Sequence, residues 1–307
     1  MCSLGEPFIN ESKISLVAEI IAKLDLKRDM YLDTRFFPPI NVDRELQLGY
    51  FAAMVAIDHR TSTPLGVFEG YVHGEFFHGA DLLYRLGMLI FESDPEFFSS
   101  DRLSRLGYAD AKKLLVFENK ILWDFHVRTF LLRDLGQKTL ELYGSFKKLF
   151  NVSRVTEFVN RLRFFRAYED PVAKKAYLLA KFLDGRKLIQ FHDKENFEVA
   201  VDNHLSRLAI RLGIISFSDY SHIERQFEVP RDYDISLRLT IREAWKKVSE
   251  MSGVDPFTLD DFLWNFGRRI CRQNSPRCAN CPFDGVCLAR SVGRYWLEHR
   301  HILTWYY

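Results

Sequence analysis

Cysteine is nearly absent from this chain: there are five in 307 residues, and only Cys2 lies outside the span Cys271–Cys287. A disulfide framework spreads its cysteines along the chain, so this distribution excludes a disulfide-stapled secreted fold and favours a metal site in a reducing compartment. Long apolar runs are missing too. YFAAMVAI ends at Asp58 and LGMLIF follows Arg85, so nothing approaches the roughly 18 uninterrupted apolar residues of a membrane span. The N-terminus lacks the basic, apolar, small-residue order of a secretion signal. Net charge is small: 43 Lys and Arg against 41 Asp and Glu give +2, so any surface suited to a polyanion must be local. Linkers, internal repeats and low-complexity segments are also lacking. Together these absences read as a soluble, cytoplasmic protein, long enough for one large domain or two modest ones.

What the chain does contain is helical periodicity. ISLVAEIIAKL repeats its apolar residues at Ile14, Val17, Ile20, Ile21 and Leu24, and VTEFVNRLRFF at Val155, Phe158, Val159, Leu162 and Phe165, which predicts a mainly α protein. Its 27 phenylalanines are expected to pack helix against helix. RKLIQF and FEVAV, separated by the polar HDKEN, predict one small β-hairpin over 186–201. The final HILTWYY is expected to fold onto its own core. In YEDPVAKKAYLLAKFL, Asp170 and Pro171 suit a helix start, Ala176, Leu179 and Leu183 form the buried stripe, and Lys174 points almost opposite it, toward a cleft or solvent, with Lys175 at the stripe's edge. In VAVDNHLSRLAIRLG, Asp202 sits at the cap, Leu205, Leu208, Ala209 and Leu212 form the buried face, and Gly213 closes the helix. Taken alone, Asp202 reads as a cap.

The spacing C-x6-C-x2-C-x5-C of Cys271, Cys278, Cys281 and Cys287 brings four thiolates within reach of one centre, either zinc or an iron–sulfur cluster. Two stretches are locally basic. Arg161 to Lys187 holds eight basic residues against three acidic ones, and Arg268 to Arg300 holds seven arginines against Asp284 and Glu298. Such concentrations suit phosphate binding.

With FLWNFGRRI before it and PRCANCP inside it, the cysteine segment resembles the iron–sulfur loop of the helix-hairpin-helix DNA glycosylases, in their endonuclease III branch. VAVDNHLSRLAIRLG is similar to that family's V-D-x-H helix, and YEDPVAKKA falls where the family has its hairpin L-P-G-V-G-x-K-x-A. GYFAAMVAIDHRTS more distantly resembles the helix ending in A-Q-x-T, with His59 at the glutamine. The resemblance runs from about residue 48 to 290 and departs at the hairpin, where Asp170 and Val172 replace both glycines.

The resemblance implies a two-lobed fold, with residues 48–185 as a helical barrel and 1–47 plus 186–307 as the cluster lobe, the site lying between. It implies a [4Fe–4S] cluster on the four cysteines, with zinc as the alternative. It further implies Asp202 as the catalytic carboxylate, Lys174 (alternatively Lys175) as the amine that attacks the sugar, and DNA-binding or base-flipping roles for His59, His204, Arg207, Arg268, Arg269, Arg272 and Arg277. Phe68, Tyr71, Phe76 and Phe77 are candidates to hold an extruded base, against a reading of them as core. The implied function is base excision from lesion-bearing double-stranded DNA by a monomer in the nucleoid, with lyase activity. Two alternatives stand beside it: an N-glycosidase for a free modified nucleotide or nucleoside, and a catalytically silent iron–sulfur protein that binds nucleic acid.

Overall fold

The computed structural model describes residues 4–63 and 66–307, so Cys2 lies outside the described residues. The chain divides into two compact units. One, here the central unit, is Met30–Asn196 with Trp305–Tyr307; the other, the cluster unit, joins the chain up to Asp29 with Phe197–Thr304. Among the described residues no helix is long and apolar enough to cross a membrane.

The central unit is built around the helix Arg44–Ala56, buried without a break from Gln47 to Ala56. Such a helix, apolar all round, must be enclosed by others. Helices Ala80–Ser93, Phe125–Leu142 and Lys174–Gly185 pack on it. Asp43 starts it by accepting from the Glu45 amide at 2.7 Å. Aromatic residues fill the space around it, with Tyr31 and Phe37 edge-on to Phe182 and Phe37 stacked on Phe51 at 5.8 Å. Much of the phenylalanine content therefore does what the composition led one to expect. The C-terminal residues also fold inward: Trp305 donates its ring N–H to the Arg166 carbonyl, and the Tyr307 carbonyl accepts from the Arg60 amide.

A hairpin forms at Glu69–Val72 and Glu75–His78, turning on His73 and Gly74, both with positive φ (50° and 83°). This is the turn conformation whose twist matches two antiparallel strands. Alternation divides the aromatic group: Phe68 and Phe77 are buried, whereas Tyr71 and Phe76 lie side by side on the exposed face.

The hairpin expected at 186–201 is not there; the segment is irregular apart from a short 3₁₀ turn at Lys194–Asn196. Its backbone partners explain why. Asp193 caps the helix Val155–Leu162 by accepting from the amides of Val155 (2.6 Å) and Thr156, and the Ala200 amide donates to Asp260 rather than to a neighbouring strand. Phe191, Phe197, Val199 and Val201 are buried without forming a strand.

In the cluster unit, strand Pro7–Ile9 pairs antiparallel with Ile215–Phe217. Helix Glu11–Ala22, capped by Asn10, buries Ile14, Val17, Ala18 and Ile21 and packs on Arg231–Ser252. Helix Asn203–Leu212 packs against Pro256–Arg269, whose C-terminal end runs into Cys271. Gly213 closes Asn203–Leu212 at φ 81°, and a Cβ there would meet the Leu288 side chain at 2.9 Å.

Candidate functional site

Asp202 is the N-cap of Asn203–Leu212, its Oδ1 accepting from the Leu205 amide at 2.9 Å. The helix carries Arg207 and Arg211 one turn apart, both buried, and their guanidinium groups organise the cysteine loop. Arg211 donates to the carbonyls of Arg272 (2.7 Å), Gln273 (2.7 Å), Trp296 (2.6 Å) and Tyr295 (3.3 Å) and reaches Cys271 Sγ at 3.4 Å. Arg207 donates to the carbonyls of Cys271 and Gly267, pairs with Glu298 at 3.0 Å and meets His204 Nδ1 at 2.9 Å. Burial and four protein partners therefore hold Arg207 within the unit. His204, half-buried against Gly267, is held by the same contact, and burial lowers its pKa.

Cys271, Cys278, Cys281 and Cys287 line one cavity together with Arg211, Phe266, Ile270, Arg277 and Tyr295. Burial and the neighbouring cysteines push the Cys281 thiol up to about 12, against the opposing pull of the Phe283 amide, and Cys287 is raised chiefly by burial. Among the described residues no three Cys, His or carboxylate side chains converge closely enough to hold a single metal ion.

Around the loop, Arg269, Arg272 and Arg277 are exposed. Arg268 is half-buried, its guanidinium 4.3 Å from the centre of the Trp264 ring.

The other sequence candidates lie in the central unit. The helix Lys174–Gly185 begins three residues later than the proline suggested, because Asp170–Ala173 forms a turn and Ala173 enters the helix at φ 57°. Asp170 is fully buried, and desolvation, opposed by the Lys174 and Ala173 amides and the two lysine charges, raises its carboxyl to about 6. Its carboxylate is therefore not displayed at the hairpin surface. Lys174 is also buried rather than solvent-facing, and Lys175 wholly so. Their amines donate to the carbonyls of Asp58 (3.0 Å) and Ala56 (2.6 Å).

The Ala56 carbonyl ends the helix Arg44–Ala56 and the Asp58 carbonyl lies two residues beyond it, where free acceptors and the helix dipole attract cations. Arg128, fully buried, completes the arrangement by donating to the carbonyls of Ile57, His59 and Arg60 and to Asp124 Oδ1 at 2.5 Å. His59 lies inside this group, its Nε2 2.5 Å from Asp124 Oδ2 and its Nδ1 3.1 Å from Lys175 Nζ. Burial first, then the adjacent cations, hold His59 and Lys175 well below their usual pKa values. The His59 ring is therefore closed off from the surface. Asp124 and Arg128, which the sequence reading missed, stand four residues apart.

No family model matches the chain. An 89-residue stretch is 28% identical to an endonuclease III homolog of Encephalitozoon cuniculi, covering 29% of this chain and 29% of that protein. The chain thus matches under a third of that relative's length. Two solved structures are similar over nearly the whole chain. One is a trapped covalent intermediate of endonuclease III with DNA, at TM-score 0.52 and 15% identity, covering 93% of this chain and 99% of that one. The other is a thermostable thymine-DNA glycosylase, at TM-score 0.51 and 14% identity, covering 92% and 98%. The fold is that of the helix-hairpin-helix DNA glycosylases, endonuclease III-like.

Proposed function

We propose that the chain is a DNA glycosylase that removes a damaged or mismatched base and then cleaves the abasic strand as a lyase. The observation that carries this reading is the pairing of Asp202, at the head of one helix, with a four-cysteine loop fastened to that same helix by Arg207 and Arg211, in an endonuclease III-like fold. Loss of a base places positive charge at C1′ of the sugar, and a carboxylate beside that carbon stabilises it. That is the role of Asp202. The base departs with the electrons of the glycosidic bond.

Lys174 is the amine that bonds to C1′; ring opening gives a Schiff base, and loss of the C2′ proton expels the 3′ phosphate. Lys175, the more deeply buried of the two, is the alternative amine. The trapped endonuclease III–DNA intermediate among the similar structures supports a covalent route.

Cys271, Cys278, Cys281 and Cys287 would hold a [4Fe–4S] cluster, which when bound contributes cross-linking of the loop rather than electron transfer. The loop then offers Arg268, Arg269, Arg272 and Arg277 to the phosphates of lesion-bearing duplex DNA. The purified protein is expected to be brown, with absorbance near about 400 nm; a colourless protein containing zinc would overturn the cluster assignment.

The activity is tested by borohydride trapping on a panel of duplexes carrying oxidised, deaminated, alkylated or mismatched bases. A covalent adduct with one lesion class, abolished in Lys174→Ala, is expected. An adduct lost only in Lys175→Ala reassigns the amine, and base release without any adduct removes the lyase step. Salt-sensitive DNA binding with no base released from any lesion rejects the enzyme.

A further inference from the structure

The segment that carries Asp202 is held from below by one buried arginine that the proposed chemistry does not use. Arg238, on the helix Arg231–Ser252, is fully buried. It donates to Asn203 Oδ1 at 2.7 Å and to the Val201 carbonyl at 3.4 Å. A single guanidinium thus grips the residues on both sides of Asp202. Its own position is set by Asp234, one helical turn earlier, at 2.7 Å. The same Asp234 oxygen accepts from His299 Nε2 at 2.6 Å.

Other members of the unit extend the grip along the segment. Lys246 donates to the Phe197 carbonyl, Asp260 accepts from the Ala200 amide, and the Trp245 ring N–H donates to the Leu205 carbonyl. These latter contacts fix the flanks, while Arg238 bonds the residues immediately before and after Asp202.

A planar guanidinium with a fixed fork of donors sets two acceptors at a defined separation, which a flexible ammonium does not do. Burial of the Asp234–Arg238 pair makes the arrangement rigid, because breaking it leaves an uncompensated charge in the interior. We propose that Arg238, oriented by Asp234 and acting through Asn203, is a positioning residue that sets the backbone at Asp202 and so the direction of its carboxylate. The proposal rests on the assignment of Asp202 as the reacting carboxylate. A displacement of about 1 Å at such a group costs roughly 100-fold in rate, so the grip has kinetic consequences although Arg238 touches no substrate.

Asn203→Ala removes the acceptor without exposing a buried charge. Its single-turnover excision rate is expected to fall about 10- to 100-fold, with the affinity for abasic-analogue DNA and the melting temperature little changed. Asn203→Asp, which restores an acceptor for Arg238, is expected to recover most of that rate. The double variant Asp234→Asn, Arg238→Met removes the guanidinium together with its counter-charge and should slow excision at least as much as Asn203→Ala. Hydrogen exchange at the Leu205 and Ser206 amides of the intact protein reads the turn independently of activity and is expected to accelerate in both. Wild-type excision and wild-type exchange in Asn203→Ala and the double variant would overturn the proposal. If the unmodified protein releases no base, the glycosylase reading fails on its own, and the exchange measurement still decides whether Arg238 sets the turn.

Discussion

Asp202→Asn is expected to lower the single-turnover rate of base excision by about 1,000-fold or more, with the folded protein unchanged in stability. The two effects separate because Asp202 has two functions. As an N-cap it needs only an oxygen to accept from the Leu205 amide, and asparagine caps a helix about as well as aspartate. As the group facing a developing cation it needs its charge, which asparagine lacks. The variant should therefore bind lesion-bearing DNA and melt like the parent while the bond to the base stays intact. Excision within about tenfold of the parent would show that some other group carries the charge, leaving Asp202 only a cap.

The largest effect on stability is expected at Arg128, in the other unit. Arg128→Met keeps much of the side-chain volume but removes donors from three backbone carbonyls and from Asp124. The carboxylate is then left buried, with His59 as its remaining side-chain partner. Breaking a buried pair from one side costs about 3–5 kcal/mol, and the stranded carbonyls add to that. Urea unfolding followed by fluorescence and by hydrogen exchange within Arg44–Ala56 should show the loss in the central unit. A change below about 1 kcal/mol would mean that Lys174 and Lys175 alone satisfy that helix end.

Arg128 and Arg238 also mark the limit of what the sequence disclosed. The cysteine spacing, the Asp202 cap and the apolar stripe from Leu205 to Leu212 were legible because each is a local pattern with a local physical cause. Arg128 lies in helical register with Leu131, Leu132 and Leu135, and Arg238 with Ile241 and Trp245. An arginine on an apolar stripe, four residues after an aspartate, is the signal that was available, yet on a surface helix the same spacing is an ordinary ion pair.

The interior of Lys174 was hidden for a related reason. Helical-wheel reasoning places a side chain relative to one neighbouring surface, whereas Lys174 is buried by acceptors at the end of another helix. The segment at 186–201 misled because its β-forming residues are buried against other elements and its amides bond partners outside the segment, His192 to the Ser153 carbonyl and Ala200 to Asp260. The hairpin at Glu69–His78 did carry a turn signal in His73–Gly74, but its aromatic residues invited a reading as a base-binding group instead.

The division of the chain has a consequence for biosynthesis. Residues 4–28 are translated well ahead of their partners, which are distant: the Glu6 amide bonds Ser218 across 212 positions, and helix Glu11–Ala22 packs on Arg231–Ser252. Met30–Asn196, by contrast, is a single run of chain carrying nearly all of its own unit, so it can condense while translation continues. The cysteine loop is translated after the helix bearing Arg207 and Arg211, and it closes onto donors already in place. Truncated nascent chains ending near residue 200 should therefore hold a protease-resistant central unit alongside an N-terminal segment that is still cleavable.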